Sequence, residues 1–257
     1  MADRNSSQMN IERIALEENN ISDFYDSCVN YNGPKIYENI FSLFPDLEKF
    51  NLDYLQRLFN NKKIKVNGIE IEFNEYCKLL EQFPDGNKFY AWQQSIEYVH
   101  PELKPFFSTI ELIPSDEIVQ SNLWLGPKGT KSALHFDLLN NFFFQLYGSK
   151  TFYLACPNSL FKIYPSSPFG LSPNNSVIDL LNFNERNFPK IKEVKIYKVT
   201  LQAGSCFFLP SCWWHQVVSN EASISINIWT KRPVFEFISE KFQMLPLGIK
   251  LWIKSLF

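Results

Sequence analysis

At 257 residues, 45% hydrophobic and 16% aromatic, the chain can bury a large core as one β-rich domain with additions. Its 25 basic and 27 acidic residues leave a formal net charge of -2, which argues against a generally nucleic-acid-binding surface and leaves room only for a local basic patch. Five cysteines (Cys28, Cys77, Cys156, Cys206, Cys212), without a CxxC pair, speak against a disulfide framework or zinc ribbon and for reduced thiols. The polar start MADRNSSQMNIERIALEENN lacks the apolar core of a signal peptide, and no run reaches the roughly 18 apolar residues of a membrane span. The expectation is a soluble, cytoplasmic protein, with the nucleus open if the source is eukaryotic.

The first thirty residues carry no readable chemistry and should hold a short helix and a first strand. Pro34 to Phe59 reads as helix in two pieces, KIYENIFSLF and NLDYLQRLF, with Asn51 or Asp53 capping the second and Leu52, Leu55 and Phe59 on one face. Lys63 to Phe73 alternates and should form a hairpin turning at Asn67-Gly68. Asn74 to Phe83 is again helical, closed by Pro84-Asp85-Gly86.

From Lys88 the character changes to many short strands. The spans are Phe89–Trp92, Ser108–Ile113, Leu123–Leu125, Ala133–Asp137, Asn141–Tyr147 and Thr151–Ala155, with Gly148-Ser149 as a tight turn. An insertion rich in Pro, Ser and Asn follows, from Cys156 to Ile191, with a helical turn expected at Val177–Leu181. Strands resume at Lys195–Leu201, Cys206–Leu209, His215–Ser219 and Ser223–Trp229, and Val234–Phe257 reads as a helix pair broken at Pro246 and Gly248. Such spacing predicts a mainly β architecture with flanking helices, a jelly roll or barrel. Residues 1–87 are expected to form a helical N-terminal cap with the first strands. Residues 88–232 should be the β core, and 233–257 a C-terminal helical tail.

His135 and Asp137 are two apart, so on a strand both side chains point to one face. An imidazole and a carboxylate so placed are two-thirds of the facial triad that holds Fe(II) and leaves positions open. The third ligand has to be another histidine, and the chain has three: His100, His135 and His215. By itself an H-x-D pair is weak, because a lone strand histidine is more often a hydrogen-bonded core residue. Its context is stronger. A Gly-x-Lys turn puts Lys150 thirteen residues after Asp137, and His215 stands in GSCFFLPSCWWHQVV, where Gly204 turns into a buried strand that Pro210 ends.

The motifs HFD, NNFFFQLYGSK, GSCFFLPSCWWH and SINIW, in that order, resemble the JmjC and cupin-like family of Fe(II)- and 2-oxoglutarate-dependent oxygenases. The nearest likeness is to the small hydroxylase branch that includes the asparaginyl hydroxylase acting on hypoxia-inducible factor, and it covers Lys88 to Trp229. The resemblance implies a double-stranded β-helix, with His135, Asp137 and His215 as metal ligands. It further implies that Lys150 pairs with the distal carboxylate of 2-oxoglutarate, helped by the hydroxyls of Ser132 and Tyr90. A solvated turn lysine and ordinary strand residues are the plainer alternatives for these three. Asn141 and Asn227 resemble the amides that orient the inner carboxylate. Both have apolar neighbours, where an unpaired amide would cost about 1–3 kcal/mol, so polar partners should meet them. Phe143 and Trp229 read as pocket wall, Trp213 and Trp214 as core, and His100 as a surface or loop histidine.

The implied activity is hydroxylation of a C–H bond, with Fe(II) as cofactor and 2-oxoglutarate and O2 as cosubstrates. A protein side chain is the expected substrate, and hydroxylation is expected over demethylation, since the sequence lacks the reader or zinc modules that often accompany histone demethylases. A modified tRNA base or a small molecule stays open, as does a catalytically inactive cupin-like binding module. The C-terminal stretch implies, by analogy, a homodimer through helices; an amphipathic membrane-surface helix is the alternative.

Overall fold

A computed structural model describes residues 11–231 except 32, 84–85, 109–111 and 168–171. Seven strands form one sheet in the order β1 (Glu12–Ala15), β2 (Lys35–Glu38), β10 (Ser205–Leu209), β7 (Asn140–Tyr147), β12 (Ser223–Thr230), β6 (Ile118–Gly126) and β5 (Ala91–Ser95). A smaller sheet runs β11 (Trp214–Ser219), β8 (Lys150–Ala155), β9 (Tyr197–Leu201), and β3 (Lys63–Val66) pairs with β4 (Ile69–Glu72) as a separate hairpin. Apart from the parallel β1–β2 pair, the ladders are antiparallel. The result is the expected mainly β, jelly-roll architecture.

The large sheet has two chemically different faces, and the difference is written in the period-2 alternation of its strands. In β12, SISINIW, the isoleucines Ile224, Ile226 and Ile228 share the outer face with Phe142, Phe144, Leu123 and Leu125. Against that face packs the N-terminal region: Leu55 and Phe59 from α1 (Leu52–Phe59), and Phe73, Tyr76 and Leu80 from α2 (Phe73–Gln82). Asn51 caps α1 by accepting from Tyr54 N–H at 2.8 Å. At about 1.5–3 kcal/mol for each large apolar side chain removed from water, this outer core carries most of the burial energy. The inner face carries Asn122, Trp124, Asn141, Phe143, Gln145, Ser225, Asn227 and Trp229 instead.

The segment that bears His135 is not a continuous strand, contrary to the expectation for Ala133–Asp137. It touches the smaller sheet through isolated bridges, Lys131 to Val218 and His135 to His215. Between them the Ser132 hydroxyl accepts the Val217 N–H at 3.0 Å, so a side chain takes a ladder bond that a carbonyl would otherwise hold. On its other edge His135 bridges to Asn175 of the insertion.

Several local expectations are corrected. Lys35–Glu38 is strand rather than helix, because β1 and β10 pair with both its edges and Ile36 and Tyr37 are buried in separate cores. Val177–Leu181 holds turns and bends without a helical turn, since the Leu180 N–H is taken by the Gln216 side chain at 2.8 Å. His100 is 1% exposed and stacks on Phe59 with ring centroids 4.4 Å apart, so it is no surface histidine. Ser108, where a strand was expected to begin, instead ends the helix Lys104–Ser108, and residues 109–111 lie outside the described part, as do the helix pair at Val234–Phe257 and the dimer contact expected there. The Gly148 turn is as read: its φ is +67°, and a Cβ would stand 2.2 Å from Ala222 O. Cys28, Cys77 and Cys206 are free thiols, and among the described residues no helix is long and apolar enough to cross a membrane.

Candidate metal centre

His215, on β11, and His135, on the bridged segment beside it, are directly opposed. Each backbone N–H donates to the other's carbonyl, at 3.0 and 2.7 Å, and the rings lie 4.1 Å apart. Two residues on, Asp137 turns its carboxylate towards both imidazoles. Its Oδ1 is 3.9 Å from His135 Nε2 and its Oδ2 is 3.8 Å from His215 Nε2. One ligand atom from each residue falls within 4.8 Å of the others.

The tautomers suit ligation. His135 Nδ1 lies 2.8 Å from Ala133 O, and His215 Nδ1 lies 3.0 Å from Trp213 O. A carbonyl can only accept, so both Nδ1 atoms carry a proton and both Nε2 atoms face the carboxylate. Burial lowers the His215 pKa to about 4, assisted by the neighbouring His135 and opposed by Asp137, so this imidazole is neutral at pH 7. Two imidazoles and one carboxylate converging in this way fit a divalent first-row metal with positions left open.

Behind Asp137 runs a line of amides. Asn141 Nδ2 reaches Asp137 Oδ2 at 3.5 Å, and Asn227 Nδ2 donates to Asn141 Oδ1 at 3.2 Å. Asn227 Oδ1 in turn accepts from Trp124 Nε1 at 2.7 Å and from Asn122 Nδ2 at 3.2 Å. The polar partners expected for these buried amides are therefore side chains. Trp124 and Asn122 escaped the sequence reading, although the alternation of β6 places them on the face of Asn227 and Ser225, with Asn122 in register with Asn227 and Trp124 with Ser225.

Lys150 sits further along the same interior. It is 2% exposed, its Nζ donates to Ser225 Oγ at 2.7 Å, and it lies 5.3 Å from the Phe143 ring centroid. No carboxylate among the described residues comes within ion-pair distance. Burial alone pulls its pKa from 10.5 to about 7. A cation kept dry without a counter-ion is costly, and an anionic ligand would relieve it. Ser225 was also missed, and the SISIN alternation is the signal that would have found it.

Tyr90 lies beside Trp124, with ring centroids 6.1 Å apart, in a space open only because residue 126 is glycine. A Cβ on Gly126 would meet Tyr90 Cδ2 at 2.8 Å. Burial raises the Tyr90 phenol well above its ordinary value. Neither Tyr90 nor Ser132 bonds to Lys150; the Ser132 hydroxyl is engaged by Val217 N–H. Trp229, register partner of Asn141, keeps a buried Nε1 without a partner. Trp214 is fully buried against Phe136, and Trp213 is 5% exposed, so both are core as read.

Residues 2–234 match the family model described as "Cupin-like domain". The chain is 29% identical over 235 residues to "Jumonji C domain-containing protein 5" of Drosophila melanogaster, covering 83% of this chain and 58% of that protein. It is 26% identical over 223 residues to "Lysine-specific demethylase 8" of Xenopus tropicalis, covering 80% and 50%. With human "HSPB1-associated protein 1" the identity is 34% over 231 residues, covering 76% and 47%. The chain thus spans about half the length of the curated relatives it matches.

Proposed function

Because the chain belongs to the cupin-like family of JmjC type, whose members generally use Fe(II) and 2-oxoglutarate, we propose that it is a dioxygenase hydroxylating a C–H bond on a protein side chain. The observation that carries this reading is the convergence of His135, Asp137 and His215 on one point of an interior that also holds a buried, uncompensated lysine. When bound, iron and 2-oxoglutarate would activate O2, the oxidant: one of its oxygen atoms would enter the substrate C–H bond and the other would go to succinate as 2-oxoglutarate loses carbon dioxide.

The chain's own residues do the rest. His135 and His215 present Nε2, with their tautomers locked by Ala133 and Trp213, and Asp137 supplies the negative charge. Asn141 holds Asp137 and, with Asn227, offers amide groups to the inner carboxylate of the cosubstrate. Lys150 receives the distal carboxylate, and Ser132 and Tyr90 line that end. Phe143 and Trp229 wall the pocket and keep water from the reacting carbon.

Removal of an N-methyl group from lysine is the second reading, favoured by the names "Lysine-specific demethylase 8" and "Lysine-specific demethylase JMJ30" among the relatives. Both outcomes begin with attack on a C–H bond and differ in whether the carbon stays attached. The deciding experiment is anaerobic titration of Fe(II)-loaded protein with 2-oxoglutarate, followed by succinate release on peptide libraries and mass analysis of the product. A charge-transfer band that His135→Ala abolishes is the expected result. A one-oxygen mass gain then identifies hydroxylation, and formaldehyde release identifies demethylation. Metal bound without a band would sink the oxygenase reading in favour of a binding module.

A further inference from the structure

The residue between the two neighbouring ligands, Phe136, is held from outside the β core. Its N–H donates to Asn174 O at 3.1 Å, and its carbonyl accepts from Asn174 Nδ2 at 2.9 Å. One residue of the insertion thus grips both polar groups of Phe136. Around it, Ser176 N–H donates to Leu134 O at 2.8 Å, His135 exchanges its bonds with His215, and Asp137 O accepts from Cys212 N–H at 2.7 Å. Among these contacts Asn174 Nδ2 is the one side-chain atom; the others are backbone groups that any residue would offer. The Phe136 ring points away from the ligands and packs edge-on to Trp214, in a core shared with Leu160, Ile163 and Ile178 of the insertion.

We propose that Asn174 is a positioning residue for the metal centre, fixing the Phe136 backbone and hence the separation and aim of His135 and Asp137. The inference rests on the metal reading above. A carbonyl freed at Phe136 lets the peptides on either side rotate, which swings the Asp137 carboxylate relative to His135 Nε2. Groups that orient metal ligands in this way typically change metal affinity by about 10- to 100-fold when removed.

The test is Co(II) affinity, read from the visible absorption of the titrated full chain, together with the melting temperature of the metal-free protein. Asn174→Ala removes the donor, and Asn174→Asp keeps the shape but sets an acceptor against the Phe136 carbonyl. Both retain the backbone bonds of residues 174–176, so the fold is kept. Affinity should fall about tenfold or more in each, with a blurred Co(II) spectrum and little change in metal-free melting. Val177→Ala, at a side chain 59% exposed on the same segment, should bind as wild type does. Wild-type affinity in both Asn174 variants, with or without a lower melting temperature, would overturn the positioning role and leave the metal reading standing. A wild-type chain that takes up neither Co(II) nor Fe(II) would overturn both.

Discussion

Replacing Lys150 by methionine should stabilise the metal-free protein while disabling it. The lysine is 2% exposed, has the Ser225 hydroxyl as its hydrogen-bond acceptor, and titrates at about 7 instead of 10.5 because of burial. At about 1.4 kcal/mol for each tenfold, that difference sets a ceiling of ~5 kcal/mol on the cost of keeping the group inside. With half the lysines already neutral at pH 7, the cost there is ~4 kcal/mol. Losing the Ser225 bond returns about 1–2 kcal/mol of it, so Lys150→Met should gain about 2 kcal/mol or more in urea unfolding at pH 7. The pH dependence is the sharper signature. Between about 7 and 10.5 the unfolded chain holds a proton that the native lysine has released, so wild-type stability rises with pH through this window. Lys150→Met lacks that rise, and its advantage shrinks as pH climbs. The same variant should bind 2-oxoglutarate at least ~30-fold more weakly, the lower end of the cost of truncating one partner of a buried charge pair. A variant less stable than wild type at pH 7, or equal cosubstrate affinity, would refute the argument.

Asn227→Leu strands Trp124 Nε1, Asn122 Nδ2 and Asn141 Oδ1 in the interior; at about 1 kcal/mol or more each, urea stability should drop by ~3 kcal/mol, and metal affinity should fall with it. His100, held at about 4 by burial against an ordinary 6.5, stays neutral while the unfolded chain takes up a proton. Its contribution is therefore complete above 6.5 and drains as pH falls towards 4, by up to ~3 kcal/mol, and His100→Phe should flatten the acid limb of an unfolding-versus-pH series. Gly148→Ala places a Cβ 2.2 Å from Ala222 O at a φ of +67°, and thermal melting should report a loss of at least ~2 kcal/mol.

What was legible in the sequence was whatever depends on short-range alternation. SISINIW declares a strand because Ser225 and Asn227 alternate with Ile224, Ile226 and Ile228, and the structure uses both rows as written; SCFFLP declares one as a short apolar run, and both its rows are buried. The grouping of His135, Asp137 and His215 was legible for a different reason, since chemistry restricts the donors of a candidate metal centre and the chain has three histidines. Lys35–Glu38 failed because KIYE has no strong local preference; its conformation is set by β10, some 170 residues away in the chain. His100 failed for a similar reason. Nothing beside it announces that Phe59, forty-one residues earlier, will cover its ring. The broken strand at Ser132 depends on a hydroxyl competing for a single N–H, a choice no periodicity records.

The two faces of the large sheet divide the work of the molecule. The outer face, with its isoleucines and phenylalanines, gains burial against the N-terminal helices and needs no precision beyond volume. The inner face gives up part of that gain: beside Phe143, Phe207 and Leu209 it carries amides bonded in a line from Trp124 to Asp137, and the interior it faces holds groups left without a partner. Lys150 lacks a counter-ion, and Gln145 Oε1 and Trp229 Nε1 are buried without hydrogen bonds. Unsatisfied atoms in a dry interior persist only where something else over-determines the fold, and here the outer core does so. The insertion completes the arrangement from the third side. Through Asn174 and the Gln216–Asp179 bond at 2.8 Å it braces the short ligand-bearing segment, which has no continuous ladder of its own. The segment carrying His135 and Asp137 thus borrows its rigidity from a loop, and sequence changes in that loop should tune the proposed centre without touching His135, Asp137 or His215.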